Sequence, residues 1–228
     1  MPITARTVIE RDSLFRGLPA PTLERVAALA VRRVCEPGSV IFLQGDPGNA
    51  LCGVVSGRVR ISTSRSGGKE VFLNVIGPGE TFGEIALLDG MTRSATATAV
   101  GRTELMVIPR DGFLMLLREE PQLALHVIQL LCKRVRWTAE QVEDSALLSA
   151  APRLAKRLLG LARQQGRETP DGTALHLSQE ELAQFLGISR QVVNQYLQSW
   201  KSRGWIRLGR GSLVIGDRRA LLNLSRES

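Results

Sequence analysis

The stretch Phe82-Gly83-Glu84-Ile85-Ala86-Leu87-Leu88, followed after a short loop by Arg93-Ser94-Ala95, sets one acid, one guanidinium and one hydroxyl among small and apolar residues. It follows the glycine-rich run Gly77-Pro78-Gly79. These are the parts needed to hold a phosphate beside a hydroxylated ring. Arg93 carries a planar fork of donors that neutralises and hydrogen-bonds a phosphate. Ser94 adds a hydroxyl, and Gly83 lets backbone N–H groups approach closely, with Ile85 in the same backbone cradle. Glu84 is acceptor-only when ionised, so it suits a sugar hydroxyl and repels the phosphate itself. The two charges together read as the phosphate end and the ribose end of one ligand. A surface Glu and Arg flanking a turn would present the same letters.

A second chemical element lies near the C-terminus. Ser178-Gln179-Glu180-Glu181 reads as a capping box, with Ser178 at the N-cap and Glu181 three residues on. The helix it opens carries Leu182, Phe185 and Leu186 on its apolar face. Gly187-Ile188-Ser189 interrupts it, and Arg190 to Lys201 resumes helical spacing through Val193, Tyr196, Leu197 and Trp200. Helix, three-residue glycine turn and helix form the helix-turn-helix pattern. Ser189 is placed to cap the second helix, which leaves Arg190, Gln191, Asn194 and Gln195 on its polar face near the start. Arg suits guanine, and Asn or Gln suits adenine, on the edges of base pairs. The exposed face of a plain αα-hairpin would be richer in Glu and Lys. Residues 205–208 and 212–215 then flank Gly209-Arg210-Gly211 as a β-hairpin, the wing of a winged helix. Lys201, Arg203, Arg207 and Arg210 are set for phosphate contacts, which position a protein without specifying sequence.

The elements that must hold these groups follow from the rest of the pattern. At 228 residues with 43% apolar content, the chain suits one large domain or two smaller ones. Residues 1–149 hold 17 basic and 16 acidic side chains, whereas residues 150–228 hold 13 and 6. The excess charge therefore sits with the helix-turn-helix, as in a nucleic-acid reader attached to a neutral module. No run approaches the ~18 apolar residues of a membrane span. Residues 1–10 carry Arg6 and no uninterrupted apolar segment, so they do not read as a signal peptide, and a cytoplasmic location is expected. Cys35, Cys52 and Cys132 are scattered and form no CxxC pair, which suggests buried, inert thiols and no metal site.

From Val34 to Ile108 short β-rich runs alternate with turn signals at Gly45-Asp46-Pro47-Gly48, Ser56-Gly57 and Ser66-Gly67-Gly68, the pattern of an all-β sandwich or barrel. A helix begins at Pro21, and Asp111 is the expected N-cap of another ending near Glu120. Pro121 opens a long helix to about Asp144. Along it Ile128, Leu131, Val135, Thr138 and Val142 alternate steps of three and four, a coiled-coil seam for a parallel homodimer. Residues 144–149 form the hinge, Ser149 caps a helix to about Gln165, and 166–172 read as a polar loop before a short strand.

Phe82 to Ala95 resembles the phosphate-binding cassette of cyclic-nucleotide-binding domains. With the C-terminal half, nearly the whole chain resembles the CRP/FNR family of bacterial transcription regulators. The resemblance implies an α+β architecture. Residues 1–120 would form a β jelly-roll cyclic-nucleotide-binding domain, 121–148 the dimerisation helix and hinge, and 149–228 the winged helix-turn-helix. It gives Glu84 the ribose 2′-hydroxyl, Arg93 and Ser94 the cyclic phosphate, and Thr138 the base. The serine that follows that threonine in the family is here Ala139, so cyclic AMP is the first choice of effector and cyclic GMP its competitor. The family pattern Arg, Glu, Arg on the recognition helix falls on Arg190, Gln191 and Gln195, of which only the first is kept. A different half-site is expected. The implied partners are double-stranded DNA, a cyclic nucleotide, a second copy of the chain and RNA polymerase, with no metal, no membrane and no catalysis. The absence of cysteine before Cys35 argues against the iron–sulfur chemistry of the family's oxygen sensors. Two alternatives stay open: a regulator of the same fold that needs no nucleotide or answers to oxidation at Cys132, and a nucleotide-binding regulatory subunit of an enzyme.

Overall fold

The computed structural model describes residues 9–10, 12–64, 70–209 and 211–226. The turn expected at Ser66-Gly67-Gly68, and Arg210, lie outside them.

Eight strands build the N-terminal part: β1 (Val31–Cys35), β2 (Val40–Phe42), β3 (Ala50–Ser56), β4 (Val59–Ser64), β5 (Glu70–Ile76), β6 (Thr81–Phe82), β7 (Thr96–Ala99) and β8 (Thr103–Pro109). They form two antiparallel four-stranded sheets, ordered β1-β8-β3-β6 and β2-β7-β4-β5. Two packed antiparallel sheets agree with the all-β sandwich expected from the strand spacing and with the jelly roll that the family resemblance implies. Successive side chains of a strand face opposite ways, and β8 shows the consequence. Leu105 joins Val54, Val59, Phe82, Ala97 and Ala99 in one core, while Met106 and Ile108 join a second. That second core is closed by Leu23 and Val26 of α1 (Ala20–Leu29), by Phe113 and Leu116 of α3 (Arg110–Glu119), and by Leu123 and Val127 of α4 (Pro121–Leu147). A short helix, α2 (Glu84–Asp89), follows β6 and carries the cassette.

The C-terminal part holds α5 (Ala150–Gln165), β9 (Arg167–Thr169), β10 (Gly172–Leu175), α6 (Gln179–Leu186), α7 (Arg190–Ser202), β11 (Ile206–Gly209), β12 (Ser212–Ile215) and α8 (Arg218–Leu224). Leu154, Leu158, Leu182, Val193, Leu197, Trp200, Ile206 and Leu213 share its core. By contacts the chain divides into two compact units, 1–135 and 136–228, with the division inside α4.

Several local expectations needed correction. Asp111 sits in the first turn of α3 and Pro109 takes the N-cap position, so the carboxylate complements the helix dipole without capping. Helix α4 runs three residues past Asp144, because Ser145-Ala146-Leu147 contains no helix breaker, and this shortens the hinge to Leu148-Ser149. Ser149 occupies the N-cap of α5 with extended backbone, but its hydroxyl makes no cap bond. The stretch expected as a loop, 166–172, contains β9, paired to β10, which in turn pairs β12. Its polar letters hid the strand, since β9 lies at the edge of the sheet, where neither side chain pattern nor burial is demanded.

Among the described residues, one acid is buried outside the cassette. Asp12 is 1% exposed and caps the N-terminal turn, its Oδ1 accepting the Leu14 N–H at 2.9 Å. Burial pushes its carboxyl up to about 7, the Leu14 N–H opposes this, Glu80 adds to it, and Arg16 opposes it. Between pH about 4 and 7 the folded chain therefore keeps a proton that the unfolded chain releases. Stability must fall as pH rises through that window, by at most about 1.4 kcal/mol per unit. In urea unfolding over that range, Asp12→Asn should show a shallower fall than the parent; an unchanged slope would contradict the assignment.

Candidate functional site

The cradle is shaped first by backbone. Gly83 is the N-cap of α2 with φ +83°, a left-handed conformation that side chains resist. A Cβ there would also lie 2.6 Å from Arg93 Nη1, so space as well as conformation requires glycine. The first N–H groups of α2, including that of Ile85, have no intrahelical acceptor. Behind α2, a Cβ on Gly48 would sit 2.5 Å from the Ala86 carbonyl carbon, so the 45–48 turn packs directly on the helix. The same turn fixes Arg93: its N–H donates to Asp46 O at 2.8 Å, and its carbonyl accepts the Gly45 N–H at 2.9 Å. Arg110 Nε closes the far end of α2 on Leu87 O at 2.8 Å.

Onto this frame the fold brings the cassette charges. Arg93 is 5% exposed, with Nη1 donating to Gly83 O at 2.6 Å and Nη2 to Ala50 O at 2.8 Å. Its guanidinium lies 4.1 Å from the centre of the Phe42 ring. Burial lowers its pKa, against the pull of Cys52, Glu84 and Asp46. Glu84 is 1% exposed, and burial raises its carboxyl above the ordinary range while Arg134 pulls it down. Arg134 Nη1 stands 2.8 Å from Glu84 Oε1, and Arg134 Nη2 donates to Thr81 O at 2.6 Å. The Glu84–Arg134 contact is an ion pair without aligned hydrogen bonds, so both carboxylate oxygens keep their accepting capacity. Ser94 and Ile85 are exposed beside these buried groups.

This donor set fits a cyclic nucleotide. Arg93 spends two donors on neutral carbonyls, which fix its position and leave its positive charge available to an anion. Glu84 offers acceptors that a ribose hydroxyl would satisfy. Arg134 was missed in the sequence, although a signal existed: it lies four residues before Thr138, on the same helix face.

Along the expected seam of α4, Ile128, Val135, Thr138 and Val142 are exposed, and Leu131 is half-buried against the N-terminal core. Leu125, Ile128, Cys132, Val135, Ala139 and Val142 are all exposed and alternate steps of three and four. Thr138 is exposed as well. Cys35 and Cys52 are buried as expected, but Cys132 is not; it is an exposed member of the stripe.

The reading element matches its expectation closely. Ser178 and Glu181 form a reciprocal capping box, and Gly187 ends α6 in the left-handed conformation. Ser189 caps α7, accepting the Val192 N–H at 3.3 Å. Arg190, Gln191, Gln195 and Lys201 are exposed and Asn194 half-exposed, while Val193, Leu197 and Trp200 are buried. Gln198, one turn beyond Asn194 and bonded to it at 3.4 Å, extends the same face. Arg203 lies 5.0 Å from the centre of the Trp205 ring, and Arg207 pairs with Asp171 at 2.8 Å. Both partners of that pair are about 60% exposed, so it contributes little and is readily exchanged. A groove of about 380 Å³ runs between α6 and the wing, lined by Ser178, Gln179, Arg190, Gly209 and Ser212.

The Glu84–Arg134 contact yields a test. Arg134→Met leaves a buried carboxylate without its cation and should destabilise the N-terminal unit by about 1–3 kcal/mol. Adding Glu84→Gln should recover most of the loss in denaturant unfolding. Additive losses would show that the two side chains do not interact.

Residues 32–120 match the cyclic nucleotide-binding domain, and residues 152–224 match the Crp-like helix-turn-helix domain. The chain is 32% identical over 228 residues to a CRP-like cAMP-activated global transcriptional regulator of Mycobacterium tuberculosis, covering 96% of this chain and 99% of that protein. It is 37% identical over 204 residues to the cyclic AMP receptor protein of Thermus thermophilus, covering 90% and 92%. Among solved structures, a c-di-GMP responsive global regulator of Xanthomonas campestris is similar with TM-score 0.76 and 27% identity, over 86% of this chain and 99% of that one. With likeness spanning both domains and nearly the full length, the chain belongs to the CRP/FNR family of bacterial transcription regulators.

Proposed function

We propose that this chain is a cyclic-AMP-gated, sequence-specific DNA-binding transcription regulator that acts as a homodimer on palindromic sites. The observation that carries the reading is the buried Arg93 guanidinium, answered by two backbone carbonyls beside the left-handed Gly83, within a cyclic-nucleotide-binding domain. Arg93 and Ser94 take the cyclic phosphate with the N–H groups from Gly83 to Ile85, and Glu84 takes the ribose hydroxyl. Thr138 takes the base; that role rests on the family resemblance, as does the choice of cyclic AMP over cyclic GMP. Two relatives are named for cyclic AMP, and the Xanthomonas relative for c-di-GMP, so the three nucleotides are the compounds to compare.

Arg190, Gln191, Asn194 and Gln195 read base edges, with Ser189, Lys201 and Arg210 on the phosphates. The exposed stripe from Leu125 to Val142 is the seam between two copies. A two-fold dimer sets its recognition helices about 34–36 Å apart, one DNA turn. RNA polymerase is the partner such a regulator would address, and its DNA target sets its place of action in the cytoplasm.

Palindromes selected in vitro from random DNA test the reading at fixed salt. Cyclic AMP should tighten binding at least fivefold, with cyclic GMP and c-di-GMP weaker, and Arg93→Ala should abolish the effect. Equal affinity under all conditions would overturn gating. The exposed, seam-located Cys132 favours one second reading, a thiol-responsive regulator. Alkylation of Cys132 that changes DNA affinity where nucleotides do not would select it. The seam has its own check: a short bismaleimide should link two copies through Cys132, and Cys132→Ser should prevent it. Absence of linked dimer in the parent chain would exclude this register.

A further inference from the structure

The C-terminal half of α4 and the helix-turn-helix belong to one compact unit, and the half-buried guanidinium of Arg157 lies between them. Arg157, on α5, places its guanidinium 4.1 Å from the centre of the Phe185 ring on α6 and 5.2 Å from the centre of the Trp137 ring on α4. Its Nη1 also donates to Gln141 Oε1 at 3.4 Å. One residue earlier, Lys156 pairs with Asp144 of α4 at 2.6 Å, with only 13% of the Asp144 side chain exposed. Thus α4, α5 and the first helix of the reading element meet at one side chain.

The placement is costly unless it does something. Burial pulls the Arg157 guanidinium down to about 10, so it remains charged at neutral pH while half-buried between the helices. A leucine or methionine would fill the same space without desolvating a charge. What arginine adds is direction. A planar cation must lie against ring faces, so it ties the rotation of Trp137 to the position of Phe185 in a way that an apolar contact does not. Trp137 and Gln141 flank Thr138 on α4, and Phe185 lies in the helix that braces α7.

We propose that the Trp137–Arg157–Phe185 stack is the coupling element through which a change in α4 at Thr138 reaches the DNA-reading helix, with Arg157 as its positioning residue. The inference rests on the nucleotide-gated reading above. It assigns to this chain a link that neither the cassette nor the recognition helix supplies.

The test compares the ratio of DNA affinities with and without saturating cyclic AMP, on one selected palindrome, for the full-length parent, Arg157→Met, Arg157→Lys and Trp137→Leu. Far-ultraviolet circular dichroism and the melting transition establish that each variant folds. A merely structural Arg157 would weaken both affinities alike and leave the ratio unchanged. A coupling Arg157 predicts that the ratio falls to within about twofold of one in Arg157→Met, while cyclic AMP still binds the DNA-free protein. Arg157→Lys keeps the charge but loses the planar stack, and should fall between the two. Trp137→Leu should lower the ratio too, and should add little when combined with Arg157→Met. A parental ratio retained in folded Arg157→Met overturns the inference and leaves the nucleotide-gated reading standing. A parental ratio of one overturns that reading, and the inference with it.

Discussion

The structure turns on two opposite charges forced out of water within a few residues of each other. Glu84 and Arg93 are both buried, and each has its nearest polar contacts elsewhere. Arg93 is held by the Gly83 and Ala50 carbonyls, and Glu84 by Arg134. Desolvated charges held in this way are expensive, and the expense is carried by packing around them. Gly48 pressed on Ala86, the left-handed Gly83, and the Gly45–Asp46 clamp on the Arg93 backbone leave neither side chain an alternative place. The result is a cradle whose donors and acceptors are held by the surrounding backbone.

The same economy governs α4. Leu123 and Val127 are buried in the second core of the N-terminal unit, Arg134 reaches the cassette acid, and Leu125, Ile128 and Val135 are exposed. Trp137 and Gln141 face Arg157 of the C-terminal unit. One helix therefore carries, on either side of the division between the units, a residue paired with the cassette acid and residues packed on α5.

Much of this was legible in the letters. Short strands alternating with glycine turns point to an all-β sandwich or barrel, and Ser178 with Glu181 to the start of the helix-turn-helix, because both are dictated by local chemistry. The cassette was legible because Gly83, Glu84, Arg93 and Ser94 each have a type that few other residues could replace. What escaped depended on which neighbour a side chain meets. Arg134 and Arg157 are ordinary helical arginines in sequence; only the fold puts one against a buried acid and the other between two rings. Periodicity alone also does not say that Leu131 is half-buried against the N-terminal core while its seam neighbours Ile128 and Val135 are exposed. The β9 strand was hidden for the opposite reason, since an edge strand with polar faces leaves no alternation to read.

The central claim is that the cradle and the reading helix share one conformational equilibrium. Linkage makes this testable from the ligand's side, because whatever factor cyclic AMP adds to DNA affinity, DNA must add to cyclic AMP affinity. Calorimetric titration of cyclic AMP into the free protein, and into protein saturated with its selected palindrome, measures that factor directly. The account predicts tighter binding to the DNA complex, by the same factor that cyclic AMP adds to DNA affinity. Identical nucleotide affinity in the two titrations would show that the two sites are independent, and would contradict it.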